Sequence, residues 1–255
     1  MNKRTPVDST QRFGDRVQDY VRYRPRYPRE LIPLLQQRIG LQPSWVVADI
    51  GSGTGFSAEP FLELGNTVYG IEPNDEMRAA GEQLLANHPR FNSVSGTAEQ
   101  TTLPDHSIDL ITAGQAFHWF DRTRARVEFD RILKPGGRIA LFWNRRDVDS
   151  TEFARDYEAL LIRFGTDYQQ IRHDNLTADE IGAFLGAGFT QDILSYDQLL
   201  DYDGLQGRLL SSSYVPSASD PQRAPMLREL QDLFDQHAQN GRVLMHYDTD
   251  VFISG

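Results

Sequence analysis

The spacing of apolar positions changes along the chain, and the changes predict its elements. The first 40 residues carry helical spacing, interrupted at Arg24-Pro25-Arg26-Tyr27-Pro28, where each proline disfavours helix at the residue before it. The second of these helices, Arg29 to Ile39, is predicted to stop at Gly40. Trp45 to Ile50 is apolar without polar alternation, as a strand buried on both faces requires. Helical spacing returns over Phe56–Leu64, ended by Gly65, and strand character over Thr67–Ile71. Asn74 can cap a helix to about Ala86. Strands are predicted at Phe91–Val94 and Ile108–Thr112, and Asp121 can cap a helix ending at Leu133. Lys134-Pro135-Gly136-Gly137 reads as a hard turn, and Ile139–Trp143 as a fifth strand. Five strands with intervening helices imply right-handed crossovers and an α/β fold with a doubly wound parallel sheet.

Beyond Trp143 the pattern shifts. Phe153, Tyr157, Leu160, Leu161 and Phe164 make one helical stripe. Thr177-Ala178-Asp179-Glu180 fits a capping box for a helix to about Leu185, closed by Gly186-Ala187-Gly188. Gln191–Tyr202 has strand character. Asp220 and Pro221 are predicted to start a long helix with an apolar face of Met226, Leu230, Leu233, Phe234 and His237, ended by Asn240-Gly241. Val243–Ile253 alternates as a final strand. No repeat or low-complexity segment interrupts this series.

One loop carries chemistry. Gly51, Gly53 and Gly55 follow the first predicted strand, where glycine permits positive φ and close approach of backbone to a ligand. Ligands of open parallel sheets sit at the carboxyl ends of the strands, where strand order reverses. Glu72 falls at the end of the second strand, 21 residues after Gly51, where a carboxylate can accept hydrogen bonds from both ribose hydroxyls. The dinucleotide fingerprint would need glycine at position 56, and Phe56 stands there. Asp49 and Glu72 suit an adenosyl ligand without phosphate better than an anion.

Composition narrows the field. In 255 residues, 39% hydrophobic and 24% charged, there is enough chain for one large globular domain and its core. Cysteine is absent, which excludes disulfides, thiolate metal sites and a cysteine nucleophile. His88, His106, His173 and His237 lack metal-ligand spacing with partner acids, so no metal is expected. Neither an apolar leader after Met1 nor a run of about 18 apolar residues occurs, so a cytoplasmic location without membrane insertion is expected. The net charge is −10, but residues 1–29 hold eight basic groups and three acids, leaving −15 on the rest. An acidic body opposes nucleic-acid binding; the basic arm could be a nucleic-acid tail, a solvated face, or a flap over an anionic ligand.

Taken together, the motifs resemble those of class I S-adenosylmethionine-dependent methyltransferases. Asp49-Ile50-Gly51-Ser52-Gly53-Thr54-Gly55 resembles the cofactor loop, and Glu72-Pro73-Asn74 the acidic ribose site. Gly96-Thr97-Ala98-Glu99, before Leu103-Pro104-Asp105-His106-Ser107-Ile108-Asp109, resembles the adenine-edge turn. Arg131-Ile132-Leu133-Lys134-Pro135-Gly136-Gly137 resembles the turn before the fifth strand. A narrower resemblance, to small-molecule methyltransferases of the trans-aconitate methyltransferase-like group, rests on three segments: Tyr20–Pro28, Gln115-Ala116-Phe117-His118-Trp119-Phe120 and Ser211-Ser212-Ser213-Tyr214. The resemblance implies a Rossmann-like, mostly parallel seven-stranded sheet with helices on both faces. It also implies an N-terminal helical lid at 1–39, a core at 40–202 and 241–255, and an inserted helical cap at 203–240. It places S-adenosyl-L-methionine against Asp49, Gly51 and Gly53, with Glu72 on the ribose, Ala98 and Glu99 at adenine, Gln115 touching the cofactor just past the fourth strand, and Tyr20 closing over it from the lid.

The acceptor is less defined. Methyl transfer is an in-line displacement that needs a base only when the acceptor starts protonated. His118 could serve as that base, orient the acceptor, or pack in the loop. Trp119 and its neighbours Phe117 and Phe120 could wall an apolar pocket or belong to the core. Arg145 or Arg146 could pair with a substrate carboxylate or be surface charge, and Tyr214 is a third candidate acceptor contact. His246 and Tyr247 read as sheet residues. A small-molecule methyl acceptor is expected, with no nucleic acid or membrane partner, in a monomer or homodimer. The competing functions are a non-catalytic cofactor-binding regulator, a nicotinamide oxidoreductase opposed by Phe56, and a nucleic-acid methyltransferase. The last would need an Asn or Asp, two prolines and an aromatic where Thr112-Ala113-Gly114-Gln115 stands.

Overall fold

The computed structural model describes residues 21–166, 168, 177–212 and 214–255. Tyr20, most of the predicted lid, Ser213 and His173 lie outside them. The elements run α1 (Leu31–Ile39), β1 (Val46–Ile50), α2 (Glu59–Leu64), β2 (Thr67–Ile71), α3 (Asp75–Leu84), β3 (Phe91–Val94) and β4 (Ile108–Gly114). A 3₁₀ turn at Phe117–Trp119 leads into α4 (Arg122–Ile132) and β5 (Leu133–Arg146). Then come α5 (Glu152–Phe164), α6 (Ala178–Leu185), β6 (Thr190–Leu200), α7 (Tyr202–Leu210), α8 (Arg223–His237) and β7 (Val243–Ile253).

The strands form one seven-stranded sheet in the order β3-β2-β1-β4-β5-β7-β6. The pairs from β3 through β5 are parallel, while β7 runs antiparallel to both β5 and β6. This is the expected doubly wound, mostly parallel α/β fold, and strand order reverses between β1 and β4. Alternate strand residues serve opposite faces. Val47, Leu110, Ala140 and Phe142 join Leu31, Leu35 and Phe61 of α1 and α2 on one side. Ala48, Ile111, Ile139 and Leu141 join Phe129, Ile132 and Phe184 of α4 and α6 on the other. A third apolar cluster unites Leu205 and Leu209 of α7 with Met226 and Leu230 of α8, Tyr157 and Leu161 of α5, and Met245 and Tyr247 of β7. The helical layer beside the sheet therefore draws on α5 as well as on the 203–240 segment.

The predicted caps form. Asn74 Oδ1 accepts from Met77 N at 2.8 Å, Asp121 Oδ1 from Arg124 N at 3.2 Å, and Thr177 with Glu180 makes a full capping box. Several predicted boundaries move: α1 starts at Leu31 rather than Arg29, and the strand predicted to Tyr202 ends at Leu200, with Tyr202 opening α7. Helix does not begin at Phe56: the glycine loop keeps turning, and α2 starts at Glu59 with Pro60 in its first turn, where a missing N–H costs nothing. The long helix starts at Arg223, because Asp220 instead closes a turn, its carboxylate accepting from Gln222 N at 2.8 Å. The Lys134–Gly137 turn is taken up inside β5, as a register shift opposite Ile108 and Leu110 of β4.

Candidate functional site

The carboxyl ends of β1 and β4 open on two cavities that share Gly51, Gly53, Gly114 and Gln115. The glycine loop makes their common wall. Gly51 (φ 68°) and Gly53 (φ 54°) are left-handed. A Cβ on Gly51 would stand 2.5 Å from that of Ala116, and one on Gly114 would stand 2.6 Å from the Tyr27 hydroxyl. Ile71 O accepts from both Gly51 N (2.8 Å) and Ser52 N (3.1 Å), which ties the loop to β2.

The smaller cavity, of about 210 Å³, is lined by Glu72, Met77, Ala98, Glu99, Trp119 and Phe120 along with the shared wall. Glu72 is held at its rim: Oε2 accepts from Gly53 N and Oε1 from Asn74 N, both at 2.9 Å. Each oxygen keeps a further lone pair for a ligand hydroxyl. Burial pushes this carboxyl up from its ordinary range, against the pull of the two amides and Arg78. Glu99 also accepts from Asp121 N at 2.8 Å, which sets the turn ahead of α4. Gln115, at φ 61°, donates from Nε2 to Asn144 O at 3.1 Å, while its buried Oε1 has no hydrogen-bond partner among the described residues.

Asp49 stands apart from both cavities. It is fully buried beneath the loop, accepting from Ser57 Oγ at 2.7 Å and Thr112 Oγ1 at 2.8 Å. Burial pushes its carboxyl up to about 6, opposed by those two hydroxyls and assisted by the charge of Glu72. Asp49 thus positions the loop and β4 and lines neither cavity.

The larger cavity, of about 290 Å³, runs from the glycine loop to β7 and α7, past Arg24, Tyr27, Arg145, Arg146, Tyr168, Arg208, Tyr214 and Tyr247. Arg145 is engaged by Asp250 at 3.2 Å and Asp248 at 3.1 Å. Arg146 is paired with Glu158 and lies over the Tyr157 ring at 4.7 Å. Arg208 donates to Tyr247 Oη and Ser212 Oγ, each at 3.1 Å. The His118 ring lies tilted against that of Trp119, centroids 4.6 Å apart, and lines neither cavity.

The structure therefore gathers Gly51, Gly53, Glu72, Ala98, Glu99, Gln115 and Trp119 around one cavity, and Arg145 and Tyr214 around the other. It separates Asp49 and His118 from both. Arg24, Arg208 and Tyr168 were not anticipated, and Tyr247 reaches the cavity from its sheet position. A signal for Arg208 existed: it lies three residues from Leu205, on the apolar stripe of a cap helix. Among the described residues no group of His, Asp and Glu could hold a metal, and no helix is long and apolar enough to cross a membrane.

Part of the chain is similar in sequence to known methyltransferases. Residues 48–141 match the family described as a methyltransferase domain. An uncharacterised methyltransferase of Mycobacterium bovis is 39% identical over 140 residues, 55% of each chain. An uncharacterised methyltransferase-like protein of Schizosaccharomyces pombe is 29% identical over 156 residues, 61% of this chain and 59% of that one. The chain thus spans little more than half the length of the curated relatives it matches. Two solved structures share the fold. A protein of Anaeromyxobacter dehalogenans named for a type II methyltransferase has a TM-score of 0.63 at 22% identity, covering 91% of this chain and 97% of its own. The cyclase SpnF has a TM-score of 0.57 at 17% identity, covering 97% and 95%.

Proposed function

We propose, from the match of residues 48–141 to the family described as a methyltransferase domain, that the chain transfers a methyl group from S-adenosyl-L-methionine to a small-molecule acceptor. The observation that carries this reading is Glu72, fixed by two backbone amides at the mouth of a cavity floored by left-handed glycines. That carboxylate suits a ribose diol, and a glycine wall without Cβ atoms suits close approach of a ligand chain. Ala98, Glu99 and Trp119 would border the adenine. The unpartnered Oε1 of Gln115, at the junction of the two cavities, is an acceptor for the ammonium of the methionine part.

When bound, the cofactor supplies an electrophilic sulfonium methyl. The protein's part is to hold the acceptor in line with it and keep water out. The acceptor would occupy the larger cavity, beside Arg145 and Tyr214. His118 is given no role in proton transfer, because it lines neither cavity. Titration of purified protein with S-adenosylmethionine and with NAD tests the donor: a preference for NAD, or binding of neither, refutes the reading. A tritiated-methyl screen over pooled small metabolites then tests transfer. The competing reading, cofactor binding without methyl transfer, is excluded by turnover of any acceptor.

A further inference from the structure

The larger cavity holds four guanidinium groups, and they differ in how their charge is met. Arg145 has two carboxylates and Arg146 has Glu158. Arg208 is only 7% exposed, and its partners are the neutral hydroxyls of Tyr247 and Ser212. No carboxylate among the described residues pairs with it. An arginine stays charged when buried, and a buried charge without a counter-charge is strongly unfavourable. Arg24 lines the same cavity, donating to Ser211 O at 3.2 Å. The acids that also line the cavity sit at its surface end: Asp147 accepts from Asp149 N and Ser150 N, and Asp149 is exposed.

We infer that Arg208, flanked by Tyr214 and Tyr247, binds an anionic oxygen of the methyl acceptor, so that the acceptor is a small carboxylate or phosphate compound with an apolar or aromatic body. The body is inferred from the walls, which are the rings of Tyr27, Tyr168, Tyr214 and Tyr247. The cationic surroundings register independently on Tyr214. Burial alone would raise its phenol, yet the charges of Arg208, Arg146 and Arg24 bring it below the ordinary value. The inference rests on the donor reading above, because it assigns the larger cavity to the acceptor and the smaller one to the adenosyl group.

Calorimetry with three probes tests it. S-adenosylhomocysteine is titrated first; if it fails to bind, the donor reading falls. At saturating S-adenosylhomocysteine, benzoate, its neutral isostere benzamide, and inorganic phosphate are then titrated. The expected result is at least about 10-fold tighter binding of one anion than of benzamide, as a charge-assisted hydrogen bond implies, and the anion that binds identifies the acceptor's group. Arg208→Met should weaken that anion about 10- to 100-fold and leave S-adenosylhomocysteine affinity within about 3-fold, with Arg208→Lys falling between. Three results overturn the inference: benzamide binding as well as the tighter of the two anions, unchanged anion affinity in Arg208→Met, or a parallel loss of S-adenosylhomocysteine affinity, which would assign Arg208 to the donor's own carboxylate. If the Met variant does not fold by circular dichroism, the wild-type comparison of anions with benzamide decides.

Discussion

Asp49→Asn should change how stability depends on pH, and the size of the change follows from the burial of this carboxyl. In the folded protein Asp49 is raised from 3.8 to about 6, chiefly because burial disfavours the charge. A raised carboxyl holds its proton better when folded, so its contribution to stability is full below the unfolded value and is lost as pH rises through the folded one. The whole difference, at about 1.4 kcal/mol per pH unit, is about 3 kcal/mol. Between about pH 4.5 and 7.5 the part that is titrated amounts to roughly 2 kcal/mol. Asparagine is close to isosteric and cannot ionise, and the hydroxyls of Ser57 and Thr112 can rotate to meet its amide. Urea denaturation of both proteins at the two pH values measures the effect. The variant should gain about 2 kcal/mol relative to wild type on going from pH 4.5 to 7.5, roughly 4–8 °C in Tm for a chain of this size. A variant that loses ground to wild type as pH rises would show that Asp49 is better stabilised as a charged group, and would refute the reasoning.

Other consequences are equally direct. Glu72→Gln removes the charge that would receive the ribose diol, and should weaken S-adenosylmethionine binding by about 10- to 100-fold in calorimetry. Gly51→Ala adds both a left-handed penalty and a 2.5 Å clash with Ala116, for about 2–4 kcal/mol of lost stability. Gly40→Ala, at the same φ of 68° with nothing within 4 Å, should cost only about 1 kcal/mol. Equal losses in denaturant titrations would count against the steric argument. His118→Asn should leave kcat within a few-fold once an acceptor is in hand; a drop of about 100-fold, the scale of lost general-base catalysis, would restore His118 as the base.

Much of this protein is local, and what is local is legible in the chain. The alternation of apolar runs and helical stripes, the caps at Asn74, Asp121 and Thr177, and the pairing of a glycine loop with Glu72 all depend on neighbours within a few residues, or on the fixed geometry of one strand-loop-helix unit. They place one cavity and its ligand class before any tertiary contact is known. The tertiary structure decided the rest. It inserted β7 between β5 and β6, antiparallel to both, which brings Asp248 and Asp250 against Arg145, more than 100 residues away in sequence. It turned Asp49 beneath the loop toward Ser57 and Thr112, although it adjoins the glycine motif. It also carried Arg208 on α7, together with Tyr247 from the last strand, to a cavity walled by the glycine loop. Periodicity reports which face of an element is buried and says nothing of what the burial meets. The charge balance of the acceptor cavity is a sum over distant segments, and folding is what brings them together.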